Sequence, residues 1–276
     1  MKKTALYGAI LGDIIGSRFE NRGKKIKTKN FKLFSPDSRF TDDTVMTVAI
    51  ADGFLHCLHF YRDFDNISGI FAESMIRWGQ KYPHAGYGKK FTEWIFAKSP
   101  QPYNSFGNGA AMKVPAIAWI YDLLWHVELA TEYITALTHN HPEGIKGAKA
   151  VASAIFLART TGIKAEIKDY IEKNFGYDLS RKLDDIRQSY QFEISCQKTV
   201  PEAIIAFLES ENFEDAIRNA VSLGGDADTQ AAIAGSIAEA FYEIPENLIL
   251  KCRNYLPQEI LKVIDKFNAE IFKNTD

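Results

Sequence analysis

Apolar side chains recur every three or four residues along most of this chain, which is the spacing that gathers them on one face of an α-helix. Ala5, Leu6, Ala9, Ile10 and Ile14 follow it near the N terminus. The same pattern predicts about a dozen helices, over residues 4–18, 43–59, 66–80, 111–125, 127–137, 144–160, 163–174, 180–190, 200–209, 213–221, 228–242 and 256–272. The alternation typical of strands is hard to find. We therefore predict an all-α fold, a compact globule of a dozen or more helices.

Nothing in the sequence divides these helices into separate units. We find no repeat of a length that would indicate a helical solenoid, and no Pro/Ser-rich linker. We therefore expect a single domain over residues 1–276. An apolar fraction of 46% and a charged fraction of 25% are ordinary for a soluble globular protein and exclude a disordered chain. The net charge of -2 gives no overall basic field, so we expect neither a nucleic acid nor a membrane surface as a partner.

The three cysteines, Cys57, Cys196 and Cys252, lie outside any CxxC or close Cys/His arrangement. This spacing offers neither a zinc site nor a disulfide framework, which indicates reduced thiols in a reducing compartment. The first apolar stretch is interrupted by Asp13 and Glu20, unlike a signal peptide, and no stretch approaches the ~18 apolar residues of a membrane helix. We expect a cytoplasmic monomer.

Two acidic motifs open predicted helices and carry the strongest chemical signal. One is Thr-Asp-Asp-Thr at 41–44, and the other is Gly-Asp-Ala-Asp-Thr at 225–229. Asp and Thr are also ordinary helix N-caps, but a cap needs one carboxylate and each motif has two. Adjacent carboxylates repel each other unless a proton or cation neutralises them, and an all-oxygen set suits Mg²⁺, Mn²⁺ or Ca²⁺ rather than zinc. If the two motifs meet in the fold, they could hold two such ions.

The first predicted helix carries glycine at every fourth position, at Gly8, Gly12 and Gly16. This smooth stripe would allow another helix to approach closely. Asp13 lies on or beside the apolar face of the same helix, and a partly buried carboxylate needs a partner. We consider two roles for Asp13, capping a neighbouring helix or supporting a nearby site.

Two segments in the middle of the chain have the composition of binding loops. Residues 81–109 combine Gly and Pro with many aromatic side chains. This composition is too aromatic for a disordered segment and is typical of a binding loop. At the end of this stretch, small and amide residues from Asn104 to Gly109 precede a predicted helix, whose free N–H groups could hold phosphate oxygens. Further along, His139 and His141 could be ligands; alternatively, one caps a helix end and the other is exposed.

Taken together and in order, these motifs resemble the ADP-ribosylglycohydrolases, the family of the dinitrogenase reductase-activating glycohydrolase and the ADP-ribosyl-acceptor hydrolases. The resemblance rests on residues 8–20, 41–44, 105–114, His139 with the glycines after it, and 224–229. It covers roughly residues 5–245. Two mild departures are Lys113, where many relatives have Arg, and Phe106, where some have Tyr.

The resemblance implies an all-α fold around a central cleft that holds two Mg²⁺ or Mn²⁺ ions. The implied metal ligands are Thr41, Asp42, Asp43, Asp226, Asp228 and Thr229. The implied substrate contacts are Glu20, Ser105, Phe106, Gly107, Asn108 and His139, with the loop at the diphosphate and adenosine side and His139 facing the ribose. Asp43 or Glu20 would be the catalytic carboxylate, acting as a base or stabilising developing positive charge.

The activity implied by the resemblance is metal-dependent hydrolysis of the glycosidic bond between ADP-ribose and an acceptor, a protein side chain such as serine or arginine. Glu20 stands where relatives acting on serine-linked ADP-ribose carry a flap glutamate, which slightly favours O-linked substrates. The alternatives are hydrolysis of a free ADP-ribosylated or ribosylated metabolite and a non-catalytic ADP-ribose-binding relative. Without the resemblance, the acidic pairs would equally suit a metal-dependent phosphohydrolase. The complete set of ligand positions argues against a non-catalytic relative.

Overall fold

A computed structural model of the chain describes residues 4–20, 25–58 and 64–273. Within these ranges the chain forms fourteen α-helices and two 3₁₀-helices, and the strand pairing there is one isolated bridge between Gly107 and Ser195. The α-helices are α1 (Tyr7–Gly16), α2 (Asp42–His56), α3 (Phe64–Lys81), α4 (Lys89–Phe96), α5 (Pro115–Ile120), α6 (Leu124–Ala136), α7 (Pro142–Thr161), α8 (Lys164–Phe175), α9 (Leu183–Ser189), α10 (Cys196–Leu208), α11 (Phe213–Val221), α12 (Ala227–Phe241), α13 (Glu246–Arg253) and α14 (Gln258–Ile271). The 3₁₀-helices are Ser17–Phe19 and Asn108–Ala110. The all-α prediction is confirmed, and no helix of these described ranges is long and apolar enough to cross a bilayer.

The differences from the predicted helices have local causes. The single helix predicted over 111–125 is wrong, because α5 ends at Ile120 and extended backbone precedes α6. Pro115 starts α5 because proline lacks an N–H group and fits the first helical turn. The apolar spacing did not predict α4 and α13, each of eight residues, since so short a helix repeats the spacing only twice. Residue 59, the predicted end of the second helix, lies outside the described residues.

The glycine stripe of α1 packs directly against the backbone of α12. A Cβ atom built on Gly8 would lie 2.2 Å from the carbonyl oxygen of Gly235, and one on Gly16 would lie 2.4 Å from that of Ala227. The order of these contacts shows that the two helices run antiparallel. The predicted close approach is therefore confirmed, and it brings the C-terminal end of α1 to the N-terminal end of α12.

The α12 helix forms the centre of the molecule. Every residue from Ala227 to Glu239 is buried, and the helix packs against α1, α2, α7, α10 and α11. Six of its residues are alanine, and one glycine and one serine add to these small side chains, which allows neighbouring helices to approach on all sides. The second acidic motif thus begins a helix that is fixed by packing around its whole circumference.

Glu239 connects α12 to the beginning of α1. Its carboxylate accepts hydrogen bonds from the backbone N–H of Gly8 and from the hydroxyl of Thr4, both at 2.9 Å. Burial raises the pKa of Glu239 to about 7, although these hydrogen bonds oppose the shift. The two ends of α1 are therefore each held by a contact with α12.

Candidate active site

A carboxylate from α1 holds the first turn of α2. Asp13 is fully buried, and its Oδ2 accepts hydrogen bonds from the backbone N–H groups of Thr41 at 2.8 Å and Thr44 at 3.0 Å. Its Oδ1 accepts from the Thr41 hydroxyl at 2.7 Å. Both roles considered for Asp13 are observed, since it caps a neighbouring helix and that cap is the acidic motif whose carboxylates line the cleft. It places the first acidic motif beside the end of α1.

The two acidic motifs meet in the fold. The hydroxyl of Thr229 on α12 donates to Asp43 Oδ2 on α2 at 3.2 Å. One carboxylate oxygen from each of Glu20, Asp226 and Asp228 lies within 4.8 Å of the others. The antiparallel packing of α1 and α12 explains the presence of Glu20, which follows the 3₁₀-helix after α1. We refer to Glu20, Asp42, Asp43, Asp226 and Asp228 as the acidic cluster.

Burial and mutual repulsion raise the pKa values of the four aspartates in the acidic cluster. Burial, with the charges of Asp13 and Asp226, raises the pKa of Asp42 to about 8. Burial raises the pKa of Asp226 to about 6, and the Asn108 amide, which donates to its Oδ2 at 2.7 Å, limits the rise. The pKa values of Asp43 and Asp228 lie well above the ordinary range, first through burial and then through neighbouring carboxylates. Such a cluster needs protons or cations to neutralise it.

The donor set of the acidic cluster fits a hard divalent cation. Asp43 Oδ1 is buried and has no hydrogen-bond partner in the described part of the chain. Buried acceptors normally have a partner, so this oxygen is available to a cation. Carboxylate oxygens within 4.8 Å of one another are close enough to share an ion, and oxygen ligands suit Mg²⁺ and Mn²⁺. Thr41 lies behind the cluster, since both its N–H and its hydroxyl donate to Asp13.

The acidic cluster lines a cleft with a volume of about 370 Å³. The predicted site residues that line it are Glu20, Asp42, Asp43, Ser105, Gly107, Asn108, His139, Asp226, Asp228 and Thr229. Two predicted residues are not in the lining. Thr41 is buried behind it, and Phe106 is 49% exposed with its ring edge-on to His141, at 5.4 Å between centroids.

The loop at 105–109 is fixed to the segment before α10. The Asn108 N–H donates to the carbonyl of Ile194 at 2.7 Å, and the Cys196 N–H donates to the carbonyl of Phe106 at 2.9 Å. The Asn108 side-chain amide also contacts the Thr199 hydroxyl at 3.3 Å, in addition to Asp226. The structure therefore shows Asn108 positioning a carboxylate of the acidic cluster.

The two histidines have different roles. His141 caps α7, since its Nδ1 accepts a hydrogen bond from the backbone N–H of Glu143 at 3.1 Å, as one of the predicted alternatives has it. The same alternative expected the other histidine to be exposed. This is wrong, because His139 is only 7% exposed. Burial, and then the charge of Lys113, lowers the pKa of His139 well below the ordinary range. His139 thus offers the cleft a neutral imidazole.

Comparison with known proteins identifies the family. The family model described as ADP-ribosylglycohydrolase matches residues 3–276. The chain belongs to the ADP-ribosylglycohydrolase family. The expectation of a glycohydrolase-type enzyme, drawn from the motifs, is confirmed at this level.

Several relatives and one solved structure agree with this assignment. ADP-ribosylhydrolase ARH3 of Gallus gallus is 27% identical, over 95% of this chain and 91% of the relative. ADP-ribosylhydrolase ARH3 of Homo sapiens is 26% identical, over 93% of this chain and 90% of the relative. ADP-ribosylarginine hydrolase Tri1 of Pseudomonas putida is 26% identical, over 88% and 70%. The structure of an ADP-ribosylglycohydrolase-related protein complex superposes with a TM-score of 0.64 at 22% identity, covering 97% of this chain and 94% of that one, which supports the fold.

In this member of the family, the cleft also uses part of the stretch at 81–109, which the sequence predicted as a binding loop without naming residues 86–91 as site residues. Residues 86–91 line it together with residues of the loop at 105–109. Gly86 has φ +122°, and a Cβ there would lie 3.0 Å from Asp42 Oδ1, while the Asp42 N–H donates to the carbonyl of Ala85 at 3.0 Å. The two glycines around Tyr87 were the available signal, because they allow close approach of the backbone to another group. Lys113 also lines the cleft.

Proposed function

We propose that this protein is a metal-dependent hydrolase that releases ADP-ribose from an acceptor side chain. The observation that carries the proposal is the meeting of both acidic motifs and Glu20 in one cleft, with Asp43 Oδ1 buried and unpartnered among the described residues. The named activities of the relatives, ADP-ribosylhydrolase and ADP-ribosylarginine hydrolase, agree with this chemistry.

The proposed cofactor is a pair of Mg²⁺ or Mn²⁺ ions. The residues proposed to hold them are Thr41, Asp42, Asp43, Asp226, Asp228 and Thr229. Thr41 is included although it lies behind the lining, because its hydroxyl hydrogen is directed to Asp13 and the oxygen keeps its lone pairs for a cation. When bound, such ions supply Lewis acidity and positive charge for the ribose hydroxyls and for water. Five of these six residues, all except Asp42, are buried, and burial strengthens their electrostatic interaction with a cation.

The side chains of the cleft support bond cleavage at the anomeric carbon. Cleavage of a ribosyl bond passes through a state with positive charge on the sugar, which nearby carboxylates stabilise. Asp43 or Glu20 is proposed to accept the proton of the attacking water, because Asp43 has a free buried oxygen and Glu20 lies at the half-exposed edge of the cluster. His139 and the loop at 105–109 would orient the ribose and diphosphate.

Serine-linked ADP-ribose is the acceptor linkage that we place first. This order is supported by Glu20, which stands where relatives acting on serine-linked ADP-ribose carry a flap glutamate and has an oxygen within 4.8 Å of oxygens of Asp226 and Asp228. Arginine-linked ADP-ribose comes second, since one relative is named for that linkage. A free ADP-ribosyl metabolite is the third candidate substrate.

The test is ADP-ribose release from serine-linked and arginine-linked peptides and from free ADP-ribosyl compounds, with Mg²⁺, with Mn²⁺ and with EDTA. We expect metal-dependent release that Asp43→Asn and Asp228→Asn abolish, while Asp169→Asn on the exposed face of α8 leaves it unchanged. Release that persists in EDTA would refute the metal-dependent proposal. ADP-ribose binding without release from any substrate would identify a binding protein, and phosphate release without ADP-ribose would identify a phosphohydrolase.

A further inference from the structure

The wall of the cleft behind His139 contains a buried lysine. Lys113 is 1% exposed, and its Nζ donates to the Thr138 hydroxyl at 2.7 Å and lies 3.5 Å from His139 Nδ1. In the described part of the chain these are the side-chain partners of its amino group, and neither is a carboxylate. Burying an ammonium group without an opposite charge is costly, so packing alone does not account for a lysine at this position.

The donors around His139 fix the direction of its hydrogen bonds. An ammonium group only donates, so the Thr138 oxygen accepts from Lys113 and its own hydrogen is directed elsewhere. The nearest acceptor is His139 Nδ1 at 2.8 Å, whereas the carbonyl of Thr135 lies at 3.4 Å. The hydroxyl of Tyr103, at 3.5 Å, is a further donor on the same side of the ring. Nδ1 is therefore surrounded by donors.

An imidazole whose Nδ1 accepts hydrogen bonds carries its proton on Nε2. The Nε2 atom lies at the cleft wall, since a Cβ built on Gly109 would be 3.4 Å from it and both residues line the cleft. We propose that Lys113 is a positioning residue that holds His139, through Thr138, as the neutral Nε2–H tautomer, and thereby gives the cleft a hydrogen-bond donor for an oxygen of the ribose or diphosphate. Only the identity of that oxygen rests on the proposed function.

The other titratable groups near the pair stay neutral around pH 7. These groups are Tyr103 and Cys196, the latter on α10. Burial raises the pKa of Cys196 to about 12, and it also raises the pKa of Tyr103. Burial lowers the pKa of Lys113 to about 7. The protein should therefore be studied at pH 6, where Lys113 is an ammonium group.

The tautomer is measured by ¹⁵N NMR of protein labelled at its 6 histidines, without metal or substrate. The pattern of long-range couplings distinguishes a protonated from an unprotonated ring nitrogen, and His139→Gln assigns the His139 signals by their loss. We expect wild-type His139 to be a single neutral Nε2–H species at pH 6. Thr138→Val and Lys113→Met should each give mixed tautomers or a charged ring, whereas Thr138→Ser, Lys113→Arg and the surface control Lys149→Met should not.

ADP-ribose binding provides the second readout. Loss of one oriented donor should weaken binding about tenfold in Thr138→Val and Lys113→Met, with little change in Thr138→Ser. A proton on Nδ1 in the wild type, or an unchanged His139 spectrum in both Thr138→Val and Lys113→Met, would overturn the proposal. Since the spectra are recorded without substrate, they decide the tautomer even if the protein proves not to hydrolyse ADP-ribosyl bonds.

Discussion

At the scale of single residues, uncharged neighbours determine the geometry of the acidic cluster. Gly86 is the clearest case, because its backbone has φ +122° and its Cα faces Asp42 Oδ1. Asn108 plays a similar part for Asp226, and Thr229 for Asp43. The groups that orient metal ligands commonly affect metal affinity by about 10–100-fold.

We expect Gly86→Ala to weaken Mn²⁺ binding about tenfold, because the added methyl group would lie 3.0 Å from Asp42 Oδ1 and displace it. The measurement is a calorimetric Mn²⁺ titration of protein that has been stripped of metal with EDTA.

Gly176→Ala is the matched control for this substitution. Gly176 also has a positive φ, +67°, but a Cβ there meets nothing within 4 Å and the residue follows α8, away from the cleft. Both variants should lose about 1–2 kcal/mol of stability through backbone strain. Equal Mn²⁺ affinities of the two variants would show that Gly86 does not position Asp42.

The sequence predicted the charged residues of the site better than their neighbours. Adjacent carboxylates such as Asp42 and Asp43 can be recognised as a candidate cation site from a few neighbouring residues of the sequence. Both line the cleft as expected. The roles of Lys113, Thr138 and Gly86 arise from contacts between segments that are distant in the sequence. The glycines around Tyr87 indicate that the backbone approaches another group closely, but not that this group is Asp42.

At the scale of helices, the structure depends on the contact between α1 and α12. The glycine spacing in α1 predicted a close helix neighbour, because Gly at every fourth position produces a smooth face. It did not predict that this neighbour is α12. Because α12 is buried on every side, its sequence does not distinguish the face that contacts α1 from its other faces. The short helices α4 and α13 repeat the apolar spacing only about twice, and the extended backbone before α6 interrupts it, so periodicity did not predict these boundaries.

We expect Gly12→Ala to destabilise the protein by about 3 kcal/mol or more. Its Cβ would lie 2.1 Å from the carbonyl oxygen of Ala231, a backbone atom that can move only with the whole of α12. Urea unfolding followed by circular dichroism measures the change. Because the shift would separate Glu20 from Asp228, Mn²⁺ affinity should fall as well.

Gly69→Ala tests the same substitution in a helix that has room for it. Gly69 is exposed on α3, and a Cβ there meets nothing within 4 Å. This variant should gain about 0.5–1 kcal/mol, since alanine favours the helix over glycine. If Gly12→Ala were as stable as Gly69→Ala, the close contact between α1 and α12 would be refuted.

At the scale of the whole molecule, the site and the stability of the fold are linked. The acidic cluster joins α2, α12 and the segment after α1, so its repulsion acts between elements that form the core. We expect Mg²⁺ at 100 times its dissociation constant to stabilise the EDTA-treated protein by about 2.7 kcal/mol for each site that it fills, measured as a rise in melting temperature.

Asp43→Asn should remove most of this stabilisation by Mg²⁺, because it replaces the carboxylate that has an unpartnered buried oxygen among the described residues. Asp169→Asn, on the surface of α8, should behave like the wild type. A melting temperature of the wild type that does not respond to Mg²⁺ or Mn²⁺ would argue against any resident divalent ion.

The pH dependence of the metal-free protein gives the last prediction. The pKa of Asp42 rises from an ordinary 3.8 to about 8 in the fold, so between these values the folded state binds a proton that the unfolded state has released. The contribution of Asp42 to stability is therefore fully present below about pH 4 and is lost as pH rises towards about 8. His139 and Lys113, whose pKa values are lowered, act in the opposite direction, so the effect of Asp42 must be isolated by difference.

Comparison of the wild type with Asp42→Asn isolates it. In EDTA, the variant should become increasingly more stable than the wild type from pH 4 to pH 8, by at most about 1.4 kcal/mol per pH unit, and the difference should be constant above that range. With saturating Mg²⁺ at pH 8 the order should reverse, because the ion binds the carboxylate and neutralises its charge. Urea unfolding across this range measures both. A difference that does not change with pH in EDTA would show that Asp42 ionises normally, and the acidic cluster would then not need a cation to be stable.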